Sequence, residues 1–231
     1  MNLQMTGFVK VVTFDIDDTL FSERMYVRSG FEAVGRHVKQ RWGIDDFAER
    51  SWRLFEQGER RQVFDRVFDA VRCRWSLDDV EDLVRVYREH YPVIKLYPDA
   101  EQVLRFLPSR CRLAVVSDGP AVSQRRKVEA LGLKSYFDPI ILTAEWGAKY
   151  AKPSHLAFRE VETKRGVSGD VCAYIADNPL KDFLGPRVCG WQTVRVRRLD
   201  GIYGMLEPEP GYEADLEASD LREAVSKLNL G

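Results

Sequence analysis

Four short apolar runs constrain the fold most: residues 8–14 (FVKVVTF), 112–116 (RLAVV), 171–176 (VCAYIA) and 191–196 (WQTVRV), with a weaker fifth at 139–142 (PIIL). They are rich in β-branched residues and lack clean apolar–polar alternation. That pattern suits strands covered on both faces, as in a parallel sheet. Between them lie segments with helical spacing, at 121–131, 154–163 and 179–189. Strands alternating with such helices predict an α/β domain built on a doubly wound parallel sheet.

The interval 22–94 reads differently. Its apolar residues fall at helical spacing (Phe31, Val34, Val38, Trp42; Val63, Val67, Val71; Leu83, Val84, Tyr87), and it carries 14 basic and 14 acidic residues. An all-helical insertion after the first strand follows, which divides the chain into a core of residues 1–21 and 95–231 and a helical domain of residues 22–94. The tail from Leu199 is rich in Gly, Pro and Glu, and ends in a short helix with Ser219 or Asp220 as its N-cap.

Composition removes several classes of function. With 45% hydrophobic residues the chain is globular rather than disordered. A net charge of −1 gives no general attraction to nucleic acid or to a membrane surface. No apolar run reaches the roughly 18 residues of a membrane span, and the start, MNLQMTGFVKVVTFD, lacks the pattern of a cleavable leader. A cytoplasmic location is expected. Cys73, Cys111, Cys172 and Cys189 are widely spaced, without a CxxC pair, and read as buried thiols.

The chemistry gathers at predicted strand ends. Phe14-Asp15-Ile16-Asp17-Asp18-Thr19-Leu20 follows the first run, at the edge where open parallel sheets bind ligands. Two neighbouring carboxylates, Asp15 and Asp17, call for a cation, and carboxylates with a substrate phosphate are the ordinary way of holding Mg²⁺. Ser117-Asp118-Gly119 ends the second strong run with a hydroxyl and a glycine, suited to gripping a phosphate. Lys152-Pro153 is expected to open the next helix, with proline in its first turn. Asp177 and Asp182, five apart, follow the 171–176 run. Each feature alone is an ordinary turn or helix start; in this order their types are complementary.

The four motifs, DxDxT, S-D-G, K-P and D-x4-D, resemble the signature of the haloacid dehalogenase-like (HAD) hydrolases, over about residues 10–196. The resemblance implies a Rossmann-like core with a C1-type helical cap of subfamily I. It also implies a Mg²⁺-dependent phosphatase for a small phosphorylated metabolite. In that scheme Asp15 is the nucleophile that forms an aspartyl-phosphate, and Asp17 is the general acid and base. Mg²⁺ is held by Asp15, the backbone carbonyl of Asp17 and Asp177, with Asp182 supporting them. Ser117, Asp118 and Gly119 bind the phosphate, and Lys152 offsets negative charge. The last motif departs from the usual Gly-Asp, having Ala176 before Asp177 and Lys181 before Asp182, so Lys181 is placed either against Asp182 or in solvent.

Asp17 favours an ester leaving group that needs a proton, because dehalogenases of the family typically lack an aspartate there. A phosphomutase, a haloacid dehalogenase and a non-catalytic binding protein of the same fold remain alternatives. Thr19 reads as structural, and His37, His90 and His155 as packing or surface residues. Arg195 to Arg198 read as a solvated strand end. The tryptophans read as packing anchors. Arg24, Tyr26 and Arg28, just past the first motif, are candidate substrate readers. The sequence leaves monomer or homodimer open.

Overall fold

The computed structural model describes residues 8–230; the expectation about a leader falls on residues 1–7, outside them. The chain divides into two compact units, one of residues up to Arg24 and from Lys95 onwards, the other Met25–Ile94.

The first unit is a six-stranded parallel sheet in the order β3-β2-β1-β4-β5-β6. Its strands are β1 (Val11–Phe14), β2 (Arg112–Ser117), β3 (Ile140–Leu142), β4 (Cys172–Ala176), β5 (Gln192–Val196) and β6 (Leu216–Ala218). The first five coincide with the five apolar runs. The sixth is a three-residue edge strand, LEA, too short and too polar to be read from the tail. β1 pairs with β2 and β4 with Phe14 opposite Val115 and Ile175, so the carboxyl ends of the three central strands sit nearly level.

The helices of this unit are α5 (Pro98–Phe106), α6 (Ala121–Ala130), α7 (Thr143–Trp146), α8 (Leu156–Arg165), α9 (Leu184–Val188) and α10 (Leu221–Lys227). Asp220 caps α10 by accepting from the Glu223 amide. α5 packs with α10 and α8 with α9. Under α8 the core is Val11, Val116, Phe158, Val161, Tyr174, Phe183 and Trp191, all buried.

Two helix expectations need correction. α8 begins at Leu156, so Lys152 and Pro153 lie in the loop before it rather than in its first turn. The segment 179–189 is helical only from Leu184, because Asn178 and Asp182 tie the preceding residues into a turn. A third correction concerns Arg195 and Arg198. Both are buried: Arg195 donates to the carbonyls of Asp177, Tyr203 and Leu206, and Arg198 pairs with Asp99 and donates to Thr19 O. Only Arg197, half-buried and paired with Glu207, resembles the solvated strand end expected there.

The second unit is helical throughout: α1 (Glu23–Trp42), entered from the first unit, then α2 (Phe47–Glu56), α3 (Val63–Ala70) and α4 (Leu77–Glu89). Phe31, Phe55, Phe64, Phe47 and Phe68 form a continuous set of ring contacts at its centre. Gly30 is required by this packing, because a Cβ there would stand 2.4 Å from the Tyr87 ring. Ser76 and Asp79 close α4 with a capping box. Tyr26 is buried against Tyr87 and His90, and Arg28 binds Glu32 and Glu49. Both side chains have partners inside this unit. His37 pairs with Asp82. Among the described residues no helix is long and apolar enough to cross a membrane.

Candidate active site

Three strand ends deliver the first residues. Asp15 follows β1 directly and its amide donates to Ile175 O at 3.0 Å, which locks it to β4. Ser117 is the last residue of β2 and is buried. Asp177 follows β4 by one position. The parallel register therefore collects two carboxylates and a hydroxyl on one edge of the sheet.

Lys152 enters from the loop between α7 and α8 with its side chain fully buried. Its Nζ lies 3.1 Å from Asp15 Oδ1 and 2.7 Å from Asp182 Oδ1, and donates to Tyr174 Oη at 3.0 Å. Tyr174 in turn donates to Val116 O, fixing the lysine to the sheet. The loop is anchored through its backbone: the Lys152 amide donates to the Asp118 carboxylate, which also accepts from Thr143 Oγ1 at 2.6 Å. The Asp118 carboxylate thus faces inward, and only its backbone is left for the phosphate contact expected of residue 118.

The second acidic motif forms a self-held turn. Asp182 Oδ2 accepts from the Asn178 amide at 2.9 Å, and Asn178 Oδ1 accepts from the Leu180 amide at 3.0 Å. The departures Ala176 and Lys181 leave Asp177 and Asp182 side by side. Lys181, with a third of its side chain exposed, lies 3.4 Å from Asp118 Oδ2, while Asp182 takes Lys152; the expected pairing of Lys181 with Asp182 is corrected.

Asp17 stands apart from this cluster. Its carboxylate accepts from Lys127 Nζ at 2.6 Å and from Gln124 Nε2 at 2.9 Å. Asp18, next in sequence, adopts a left-handed backbone (φ 47°). Its carboxylate accepts from the amides of Glu23 and Ile202, tying the start of α1 and the loop after β5 to the first motif. Burial pushes the Asp18 carboxyl up to about 6, against those two amides. Thr19 is buried, as its structural reading requires.

Electrostatically the cluster is short of positive charge. Burial pushes Asp15 up to about 6, with Lys152 acting in the opposite direction. Burial, then Asp182 and Asp15, push Asp177 well above the usual carboxylate range. Lys152 is held protonated against its burial by Asp15 and Asp182. Side-chain oxygens of Asp15, Asp177 and Asp182 lie within 4.8 Å of one another, all buried. The two oxygens that face Lys152, Asp15 Oδ1 and Asp182 Oδ1, are ion-paired but accept no well-aligned hydrogen bond. A buried, all-oxygen, anionic donor set fits a hard divalent cation, and Mg²⁺ belongs to that class. Asp182 belongs to this set through its side chain, whereas the Asp17 side chain does not.

The haloacid dehalogenase-like hydrolase family model matches residues 9–190, most of the chain. The chain belongs to this family. It is 28% identical over 234 residues to a glyceraldehyde 3-phosphate phosphatase of Methanopyrus kandleri, covering 95% of this chain and 98% of that one. It is 27% identical to a phosphoserine phosphatase of Thermus thermophilus, covering 93% and 97%. Among solved structures, the HAD hydrolase YfnB of Bacillus subtilis, described with bound magnesium and an interdomain movement, superposes with a TM-score of 0.67 at 20% identity, covering 96% of this chain and all of that one.

Sequence reading missed Tyr174, Gln124, Lys127 and Thr143. Tyr174 lay hidden in an apolar run, and the other three act across long sequence separations. The Gln124–Lys127 spacing on one helix was their only local signal.

Proposed function

We propose that this hydrolase is a phosphatase that removes phosphate from a small phosphorylated metabolite through an aspartyl-phosphate on Asp15. The observation that carries the reading is Asp15 itself: a buried carboxylate at a strand end, 3.1 Å from a buried lysine, beside Asp177 and Asp182. An Asp15 oxygen attacks phosphorus and the ester P–O bond breaks. The departing oxygen keeps the electron pair and takes the proton of Asp17. Water then attacks the phosphoryl group and yields a proton to Asp17, and the P–O bond to Asp15 breaks. Inorganic phosphate and the starting carboxylate result.

Ser117 Oγ and the amides of residues 118 and 119 orient the phosphoryl oxygens, and Lys152 balances the charge spread over them. Asp15, Asp177 and Asp182, with the Asp17 carbonyl, would hold Mg²⁺, which when bound neutralises phosphoryl charge. Asp17 supports an ester as substrate over a halide, since an alkoxide needs the proton that a halide does not. The two relatives named as phosphatases support the same class of reaction. We read Met25–Ile94 as the substrate-selecting cap. The cysteines Cys73, Cys111, Cys172 and Cys189 are unpaired, which accords with a reducing, cytoplasmic setting.

Hydrolysis of p-nitrophenyl phosphate by the purified protein tests the reading. Turnover with Mg²⁺ that EDTA abolishes, and that Asp15→Asn loses, is expected. Turnover retained by Asp15→Asn would overturn it.

A further inference from the structure

Asp17 must present its carboxyl to the leaving oxygen in one orientation, yet it follows the strand end in a tight turn and retains partial exposure. What fixes it comes from a different element. Gln124 and Lys127 sit one helical turn apart on α6, on a common face. Both are almost fully buried, at 1% and 4% exposure. A buried ammonium is costly unless paired, and Lys127 Nζ is paired with Asp17 Oδ1 at 2.6 Å. Its Nζ also lies 5.9 Å from the centre of the Phe21 ring. The other oxygen, Asp17 Oδ2, takes Gln124 Nε2 at 2.9 Å.

The Gln124 amide could not be turned round. Its Nε2 lies within hydrogen-bond distance of Asp17 Oδ2, Asp118 O (2.6 Å) and Ser117 Oγ (2.9 Å). The Asp118 backbone carbonyl has no hydrogen to offer whatever the protonation of Asp17, so the NH₂ end must face it. The approach depends on Gly119, which has φ of +135° and where a Cβ would stand 3.2 Å from Gln124 Nε2. One amide thus links the hydroxyl assigned to phosphate with the carboxyl assigned to proton transfer.

We infer that Lys127 and Gln124 are positioning residues for proton transfer: they grip both oxygens of Asp17, and Lys127 stabilises the negative charge that develops there as the proton passes to the leaving oxygen. Neither is assigned a contact with substrate. The two reacting carboxyl groups then have separate cations, Lys152 for Asp15 and Lys127 for Asp17. The inference rests on the phosphatase reading and on Asp17 as its acid.

Leaving-group dependence tests it, because kcat/KM reports only the steps through phosphoryl transfer to Asp15. 2,4-Dinitrophenyl phosphate releases a phenolate that needs no proton, whereas phenyl phosphate releases a far more basic one. Lys127→Met is expected to lower kcat/KM for phenyl phosphate about 10- to 100-fold, part of the 10²–10⁴ that a positioned acid supplies. For the dinitrophenyl ester it should change by less than about threefold, since a departing group that needs no proton gains little from an acid. That retained rate also reports an intact, folded site. Lys127→Arg should restore most of the phenyl phosphate rate, and Gln124→Leu should reproduce the selective loss more weakly. In an Asp17→Asn background Lys127→Met should cost nothing further. Arg126→Ala on the same helix, at a partly exposed position paired with Glu129, should leave both rates unchanged. An equal fall for both esters, or a rise in KM alone for both, would assign Lys127 to folding or to substrate binding and overturn the inference. So would unchanged rates for both. Wild-type protein that hydrolyses neither ester with Mg²⁺ would instead overturn the phosphatase reading, and the inference with it.

Discussion

Replacing Lys152 by methionine keeps most of the length of the side chain and removes its charge from a position where that side chain is fully buried. Its Nζ sits 3.1 Å from Asp15 and 2.7 Å from Asp182. At an effective dielectric of about 20 these pairs are worth about 5 and 6 kcal/mol before desolvation and the repulsion between the carboxylates are charged against them. Breaking a buried pair leaves a net loss of about 3–5 kcal/mol. For a unit of this size that loss lowers Tm by about 6–20 °C, at about 2–4 °C per kcal/mol. The variant also adds negative charge to a cluster, Asp15, Asp177 and Asp182, whose electrostatics already call for a cation. Saturating Mg²⁺, at about 100 times its Kd, stabilises by about 2.7 kcal/mol, and its Kd should be lower in the variant. Thermal melts followed by circular dichroism, with EDTA and with Mg²⁺, read both effects. The expected result is a large loss in EDTA and a wider gap between the two melts in Lys152→Met than in wild type. A loss below about 1 kcal/mol in EDTA, or a gap that narrows, would refute the reasoning, because it would mean that the carboxylates do not depend on the lysine for neutralisation.

Arg198→Met should lower the urea midpoint with an unchanged m-value and cost about 3–5 kcal/mol, since it strands the buried Asp99 carboxylate; a loss near zero would return Arg198 to the solvated role. Burial pushes the thiols of Cys111, Cys172 and Cys189 up to about 11, 12 and 11. A disulfide reagent at about pH 8 should therefore modify only the half-buried Cys73 in native protein, and all four cysteines after denaturation. The same three thiols stay protonated in the fold after the unfolded chain has begun to ionise, so stability should fall as pH rises from the ordinary thiol value of about 9 towards 11–12. Stability that rises across that window would contradict their burial.

The parallel sheet was legible because β1 to β5 are buried on both faces, and burial on both faces writes itself as an unbroken apolar run. β6 escaped because an edge strand of three residues needs no such run. Asp15, Ser117 and Asp177 could be read as neighbours because strand ends in a parallel sheet converge, whereas Lys152 and Asp182 reach the same edge from loops. Arg195 and Arg198 could not, because a short basic cluster looks the same whether water or backbone carbonyls receive it. Here the loop after β5 folds back to supply Tyr203 O and Leu206 O. Lys127 and Gln124 were invisible for a related reason. A polar pair on a helix announces a face, but its partner Asp17 lies more than a hundred positions away.

The central claim is that phosphate passes through Asp15. Acid quench of the protein during turnover of a phosphate ester with Mg²⁺, followed by peptide mass spectrometry, addresses it directly. The account predicts one phosphoryl group on the peptide containing Asp15, absent in Asp15→Asn and in protein without substrate. Turnover that continues in Asp15→Asn, or a phosphoryl group found on another residue, would contradict it.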